Sequence, residues 1–220
     1  MGEIIDKVKD KAKDVKETVA GVKDTVVDVA KSIPNLDIMT QKFSLELNAA
    51  LAMENAGIER LQYRITETLL PEARQRMQHH VEESRVHQQR LQKLITGLGA
   101  EPTQEKLGLP LPRYPPVMLE TMSNTMTRQE WEMKRSEEDL ICENAEVIFY
   151  LMLIQKVQAA GGLFLTAVEP LTLNMTDEAK MADWIKTNSP SMIVQLFPQV
   201  QSAVATAVAP HLSQSPTQTQ

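Results

Sequence analysis

The sequence predicts an all-α protein whose main part is a four-helix bundle, and three observations carry this prediction. Aromatic residues make up only 4% of the chain and glycine only 8 of its 220 residues, while helix-favouring residues are abundant. Apolar residues recur every three or four positions through long segments. One short connection and one long crossover join these segments, as they do in many helical bundles.

The first two bundle helices are predicted from their apolar spacing and from their ends. Residues 42–69 carry an apolar stripe that consists of Leu47, Ala50, Leu51, Ile58, Leu61 and Ile65. Pro71 suits the first turn of a second helix, which we expect to continue to about Ile95. Five prolines then lie between residues 102 and 116, where regular structure is unfavourable, so this segment is the predicted crossover.

The third bundle helix is predicted to begin at a capping box. Thr127 and Glu130 have the required spacing, and the helix should run to Ala160, just before two glycines. A short methionine-rich helix around residues 118–126 is expected to precede it, with methionines that serve packing. The segment "ICENAEVIFYLMLI" is apolar on nearly all sides, so we expect the third bundle helix to be the most deeply buried.

The last part of the bundle is predicted to be broken by prolines. We expect an apolar connection over residues 163–175, interrupted by Pro170, and then a short helix over residues 177–186. A further helix should begin at Ser189 and be kinked at Pro198.

The N-terminal region differs from the bundle. Residues 1–33 carry a narrow apolar stripe with a loose 11-residue repeat, which predicts an amphipathic helix similar to the repeats of late-embryogenesis-abundant stress proteins. The stripe consists of Val8, Ala12, Val15, Val19, Val22, Val26, Val29 and Ile33. Residues 34–41 are then the predicted linker, residues 42–209 the bundle, and residues 210–220 a polar, disordered tail.

Three interpretations of residues 1–33 stay open: packing on the bundle or a second copy, disorder when free, and contact with a membrane surface. Seven lysines balance seven acidic residues, and there is no tryptophan or phenylalanine, which disfavours membrane contact.

Composition and motifs exclude several other functions. The net charge of -6 and the pI of about 5.3 disfavour a nucleic-acid partner. The single cysteine, Cys142, can form no internal disulfide. Neither a signal peptide nor a long apolar run is present, so we expect a cytoplasmic protein. The sequence contains neither a phosphate-binding glycine loop nor a readable Ser-His-Asp arrangement. It therefore predicts no catalytic residues and no organic cofactor site.

Two glutamates lie on apolar helix stripes, where a charged residue is unfavourable. Glu54 is aligned with Leu51 and Ile58, and Glu143 is aligned with Val147 and Ile154. An unpaired buried carboxylate is costly, so such a group is paired, protonated or bound to a metal. Both glutamates open an E-N-A segment, which resembles the internal duplication of ferritin-like bundles, where two helices each offer a glutamate to a dinuclear site.

The second bundle helix carries three of the chain's four histidines in "MQHHVEESRVHQQRL". At about 100° per residue, His80, Glu83 and His87 fall within about 60° of one another, whereas His79 and Glu82 should face solvent. Imidazole and carboxylate together suit iron, manganese or zinc. His87 could be a ligand, a residue that orients a ligand, or a surface residue.

The segment "HVEESRVHQQRL" resembles the H-x-x-E-[ST]-x-x-Q-x-x-R-L signature of the YciE/YciF-like branch of ferritin-like proteins. The resemblance covers roughly residues 44–160, and "ENAEV" retains both glutamates of that branch's E-H-Y-E-I pattern. It implies a ferritin-like four-helix bundle, dimeric, with a carboxylate-rich dinuclear metal site and a link to stress responses. The ligands that it implies by position are Glu54, His80, Glu83, Glu143 and Glu146.

The sequence also departs from the ferritin-like pattern. Ferritin-like sites use Glu-x-x-His on two helices, whereas the second helix here reads His-x-x-Glu. Near the expected fourth-helix site, the only carboxylates are Asp177, Glu178 and Asp183, with no histidine. The segment that follows is not expected to be a ligand helix.

Three functions remain open from the sequence. The first is a dinuclear iron or manganese protein whose ions react with oxygen or peroxide, and the sequence does not decide whether it is an enzyme. The second is a non-catalytic helical stress or interaction module, whose N-terminal helix mediates assembly or docking on a partner or membrane. The third is iron storage in a hollow shell. We expect metal ions as ligands and a homodimer or higher homo-oligomer.

Overall fold

A computed structural model of the chain describes residues 36–108 and 115–212 and places side chains between residues 37 and 202 of these ranges. Its helices are α1 (Leu36–Glu67), α2 (Pro71–Gly97), α3 (Pro116–Thr125), α4 (Arg128–Ala160) and α5 (Val168–Leu212), with a 3₁₀ helix at Gly162–Ala167. The described part of the chain contains no strand. The predicted all-α, ferritin-like bundle is therefore confirmed.

The bundle consists of two helical hairpins packed against each other. Helices α1 and α2 form one hairpin, and α4 and α5 form the other. Side-chain contacts between the hairpins show that α1 runs antiparallel to α4, since Glu46 pairs with Lys156 near one end and Thr68 bonds to Glu132 near the other. Helix α3 lies in the crossover and has no buried side chain. Four long helices therefore enclose one interior.

Two apolar clusters fill that interior. The first contains Leu47, Leu51, Leu91, Tyr150, Leu153 and Leu171 among its buried residues. The second contains Leu61, Met77, Val81, Met181, Ile185 and Leu196. On α1, α2 and α5, the residues of the first cluster are separated from those of the second by a short polar stretch. Together these stretches form a polar layer across the middle of the bundle.

A buried ion network joins α1 to α4 at the level of the second cluster. Arg64 is only 3% exposed, and it donates hydrogen bonds to Asp139 (3.0 Å) and Glu132 (3.2 Å). Arg60 also pairs with Asp139, and Thr68 donates to Glu132 at 2.7 Å. Both carboxylates are thus satisfied within the protein, which makes the network a fixed connection between the two hairpins.

The predicted helix ends were confirmed where a specific residue marks them. Pro71 occupies the first turn of α2, and Thr127 and Glu130 form the complete capping box of α4. Helix α4 ends at Gly161, whose φ of +67° lies in the left-handed region that glycine adopts without strain.

Other predicted boundaries were wrong. Helix α1 begins at Leu36 and not at residue 42, because Met39 and Phe43 extend its apolar face onto the first cluster. Helix α5 is continuous through the segment predicted as a connection and two shorter helices. Pro170 lies in its first turn, where no backbone N–H bond is lost. The helix continues past Pro190 with Met192 buried in the second cluster, so packing outweighs the broken hydrogen bond.

Helix α4 was also wrongly predicted to be the most buried helix. Ile148 is 60% exposed and Met152 is 54% exposed, on the side away from the bundle interior. An apolar composition does not by itself show which side of a helix the other helices cover.

Several predictions fall outside the described residues. These are the N-terminal amphipathic helix of residues 1–33, the first two residues of the linker at 34–41, and the end of the tail after Leu212. The rest of the predicted linker belongs to α1. Among the described helices, none combines the length and apolar character needed to cross a membrane.

We expect Arg64→Ala to lower the free energy of unfolding by about 3–5 kcal/mol, because it leaves Glu132 and Asp139 as buried carboxylates without their main partner. Urea denaturation followed by circular dichroism measures this change. Arg85→Ala, which removes an exposed pair with Glu82, is the control and should leave stability nearly unchanged. Equal effects of the two substitutions would contradict a stabilising role for the buried network.

Candidate metal centre

The polar layer between the two apolar clusters is made of carboxylates and imidazoles from all four long helices. Helix α1 contributes Glu54, α2 contributes His80 and His87, α4 contributes Glu143, and α5 contributes Glu178. All five side chains are at most 2% exposed. Each lies on the helix face that also carries core residues, so the packing of the two clusters fixes the layer in place.

These five residues form two groups that share one member. Glu54, His87 and Glu178 form the first group, and His80, Glu143 and Glu178 form the second. In each group, one potential ligand atom per residue lies within 4.8 Å of the others. Glu178 directs Oε1 to His87 (2.9 Å from Nδ1) and Oε2 to His80 (3.0 Å from Nε2). This is the arrangement of a carboxylate that bridges two metal positions.

The contacts of Glu178 are short, yet they do not have the geometry of hydrogen bonds. Both of its oxygens are fully buried and lack an aligned hydrogen-bond donor in the described structure. The Nε2 atom of His80 is aligned with Glu143 (2.9 Å), not with Glu178. Buried polar atoms are rarely left unsatisfied, and a bound ion can satisfy those that the protein leaves without a donor. The nitrogen and oxygen lone pairs can converge on a common point between them.

Further residues orient the two imidazoles. His80 Nδ1 bonds to Glu83 (2.8 Å), which also accepts a hydrogen bond from Arg76 (2.9 Å). His87 Nε2 lies 3.4 Å from Asp177. In both cases a carboxylate contacts the ring nitrogen that faces away from the centre, an arrangement that fixes the tautomer of metal-binding histidines.

A hydrogen-bond chain orients Glu54 in the same way. The Tyr150 hydroxyl donates to Glu54 Oε1 and accepts a hydrogen bond from the side-chain amide of Asn174 (3.1 Å). Arg90 in turn donates to Asn174 Oδ1 (3.0 Å). Burial, followed by the charge of Glu54, raises the pKa of Tyr150 well above its ordinary value. The tyrosine therefore stays protonated and acts as a donor.

Burial dominates the electrostatics of the carboxylates. It raises the pKa of Glu54, with the neighbouring charge of Glu178 as the next cause, and it raises the pKa of Glu143 to about 7. Burial also opposes the charged form of His87, but its short contacts with Glu178 and Glu54 outweigh burial and raise the pKa of His87 to about 10. The short contacts with both imidazoles lower the pKa of Glu178 despite its burial.

With all the carboxylates of the centre ionised, their charges do not cancel within the protein. Glu54, Glu143, Glu146 and Glu178 would carry four negative charges when ionised, against at most two positive charges on the histidines. Two divalent cations with neutral imidazoles would balance the four carboxylates. The donor set of the layer therefore fits two metal ions in both number of ligands and charge.

The structure places the six residues predicted from the sequence in three different ways. It brings Glu54, His80, His87 and Glu143 into the two groups. Glu83 lies behind His80 and outside both groups, as a partner of its outer nitrogen. Glu146 is 6% exposed and lies outside both groups, but it lines the same cavity as Glu54, His80 and Glu143. Metal binding by these residues remains a prediction.

The central residue, Glu178, was named from the sequence among the carboxylates near the expected fourth-helix site, but it was not predicted as a ligand. Its signal in the sequence is helical spacing, because it continues an apolar stripe. That stripe runs through Ala167, Leu171, Asn174, Met181 and Ile185. The expected break before residue 177 hid this pattern. Tyr150 and Asp177 have no comparable signal.

Comparisons with known proteins agree with the fold and add no function. A family model described as "Domain of unknown function (DUF892)" matches residues 39–197. A crystal structure of a protein from Xanthomonas campestris pv. campestris is similar, with a TM-score of 0.58 and 17% sequence identity. The match covers 74% of this chain and 98% of that one, and at this identity it shows the fold alone. No curated protein matches the chain significantly.

We expect the metal-free protein to lose stability as the pH rises from about 6.5 to 10. A pKa that is higher in the folded state than in the unfolded state means that the folded protein binds the proton more tightly. The stability that this proton contributes is complete below the unfolded pKa of about 6.5, and it is lost as the pH rises through the folded pKa. His87, with a pKa raised to about 10, is the main group in this window, together with His80. Urea denaturation of chelator-treated protein across this range measures the loss.

His87→Gln should show a smaller decrease over the same pH range, because it removes one of the two titrating groups. His79→Gln is the matched control, since His79 is exposed on the same helix, and it should follow the parent protein. A parent protein whose stability is constant from pH 6.5 to 10 would contradict this electrostatic description.

Proposed function

Because the chain belongs to the DUF892 family, whose members have a ferritin-like fold, we propose that it binds two divalent iron or manganese ions between its four long helices. The observation that carries the proposal is the position of Glu178, fully buried on α5. Its two oxygens approach two different histidines, and neither oxygen has an aligned hydrogen-bond donor among the described residues.

The two groups of residues correspond to two metal positions. In the first position, an ion would be held by Glu54, His87 and one oxygen of Glu178. In the second, an ion would be held by His80, Glu143 and the other oxygen of Glu178. Carboxylate and imidazole donors of this kind suit iron and manganese.

The protein's own residues would control the centre by position and charge. When bound, a pair of redox-active ions would supply electrons to dioxygen or peroxide. Glu83 and Asp177 hold the outer nitrogens of the two imidazoles, so that the inner nitrogens keep their lone pairs toward the ions. Glu146, which the resemblance implies as a ligand, lines the same cavity as His80 and Glu143 and would be a further ligand of the second position.

The resemblance to the YciE/YciF-like branch supports two further parts of the proposal, a role in stress responses and a homodimeric assembly. For the assembly, the structure adds one supporting observation. Ile141, Ile148 and Met152 form an exposed apolar stripe along α4, with the spacing of a single helix face. Exposed apolar patches of this kind often mark protein–protein contacts.

Elemental analysis after anaerobic loading with Fe(II) or Mn(II) tests the metal centre. We expect about two ions per chain, because the ligand set has two positions. Glu178→Ala should lose both ions, since it removes the shared ligand. Glu54→Ala and His80→Ala should each bind at most one ion tightly, because each removes a ligand of a single position.

Glu82→Ala and His79→Ala are the controls for this experiment, since both side chains are exposed on the same helix. They should retain about two ions, as the parent protein does. If the parent protein takes up no metal under any loading condition, the proposal is wrong. The non-catalytic interaction module, with a function carried by residues 1–33, would then be the better hypothesis.

Glu83→Gln should weaken metal binding by about 10- to 100-fold without removing a ligand, because it weakens the orientation of His80. Competition with a chelator of known affinity measures the change, and saturating metal should still give the stoichiometry of the parent protein. Glu82→Gln, one residue earlier and exposed, is the control. Identical affinities of the two variants would show that Glu83 has no part in the centre.

A further inference from the structure

A cavity of about 190 Å³ lies between α1, α2 and α4, against one side of the candidate metal centre. Four polar side chains of the layer line it: Glu54, His80, Glu143 and Glu146. His87 and Glu178 do not line it. The cavity therefore lies beside the second metal position, since both His80 and Glu143 line it. Of the first position, only Glu54 lines it.

The remaining walls are largely apolar, with Arg60 and Ser84 as polar exceptions. Met53 and Leu61 of α1 and Cys142 of α4 contribute to them, together with Leu107 from the crossover. Leu107 is held in place because its backbone N–H bonds to the Ala52 carbonyl oxygen (2.9 Å). Pockets for drug-sized organic molecules measure about 300–1,000 Å³, and an apolar cavity of about 150 Å³ binds benzene, so this cavity suits a molecule no larger than about one aromatic ring.

Glu146 connects the cavity to the second metal position. Its side chain is 6% exposed and lines the cavity, and its carboxylate accepts no aligned hydrogen bond from the described part of the chain. An ion in the second metal position would satisfy this carboxylate, so the cavity opens on that position beside Glu146.

Gly57 forms the part of the wall next to Glu146. A Cβ atom at this position would lie 3.4 Å from Glu146 Oε1. Gly57 is inside α1, where glycine is less favourable for helix stability than alanine by about 0.5–1 kcal/mol. The missing side chain thus leaves space beside the carboxylate at a cost to the helix.

We propose that this cavity is where a small exogenous molecule reaches the second metal position, and that the absence of a side chain at Gly57 sets the size limit. The inference rests on the proposed metal centre. The ligand is a neutral or anionic molecule no larger than about one aromatic ring, because the walls are largely apolar, Arg60 adds a positive charge to them, and the charges of the loaded centre balance.

The test uses the full chain loaded with Co(II), whose visible spectrum reports a change of ligands. Azide is the small probe, and 2-naphthoate, with two fused rings, is the larger one. We expect azide to change the spectrum of the parent protein and 2-naphthoate to leave it unchanged. Gly57→Val should weaken azide binding at least about tenfold, since added methyl groups occupy the space beside Glu146, while the amount of bound Co(II) stays the same.

Gly57→Ala serves as a milder variant that keeps the helix stable, and it should weaken azide binding to a smaller extent. If Gly57→Val fails to fold, Gly57→Ala alone decides. Gly97→Val is the matched control, because a Cβ atom at Gly97 of α2 meets no atom within 4 Å, and azide binding should be that of the parent protein.

Three outcomes overturn the inference. In one, azide leaves the spectrum of the Co(II)-loaded parent protein unchanged. In another, the Gly57 variants bind azide as tightly as the parent protein, and in the third, 2-naphthoate binds as well as azide. All three leave the metal centre in place, because Co(II) is still bound. A parent protein that binds no metal contradicts the proposed function itself, so the two failures are distinguishable.

Discussion

Four buried carboxylates, Glu54, Glu143, Glu146 and Glu178, share the middle of this bundle, and their desolvation is the constraint on which the rest of the structure depends. Taking a carboxylate out of water is unfavourable unless charges or donors compensate it. Two histidines supply part of that compensation, and the short, unaligned contacts of Glu178 show that it is incomplete. The apolar clusters on either side hold the helices together and keep the layer from relaxing into solvent. Metal ions would complete the balance.

The sequence predicted those residues of the centre that lie on helices with an uninterrupted apolar periodicity. Glu54 and Glu143 stand out because each interrupts an otherwise apolar stripe, and His80 and His87 because they are two turns apart on one face. Glu178 has the same kind of signal, but the prolines on either side of it suggested short, separate elements. The prolines predicted breaks in this helix, but tertiary packing keeps α5 continuous. For this reason Glu178, at the centre of the layer, was not predicted as a ligand.

Residues that act through long-range contacts had no signal that could be read from one helix. Tyr150 lies in an apolar segment, and its role becomes visible only because its hydroxyl meets Glu54, 96 positions earlier in the chain. Glu83 was predicted as a ligand because it shares a face with His80. The structure places it behind the ring, since the i to i+3 spacing brings it to the outer nitrogen. Spacing along one helix therefore identifies the participants but not their order around the centre.

The use of opposite ring nitrogens by the two histidines follows from their origin on a single helix. Seven residues of α helix separate their Cα atoms by about 10.5 Å along the axis, whereas paired metal ions are typically about 3.5–4 Å apart. The two imidazoles must therefore converge on Glu178. His80 does so through Nε2 and His87 through Nδ1, and each has a carboxylate at its other nitrogen. Since α2 supplies both imidazoles, α5 needs only a carboxylate, and Met181 can pack in the core where a ferritin-like Glu-x-x-His motif would place a histidine.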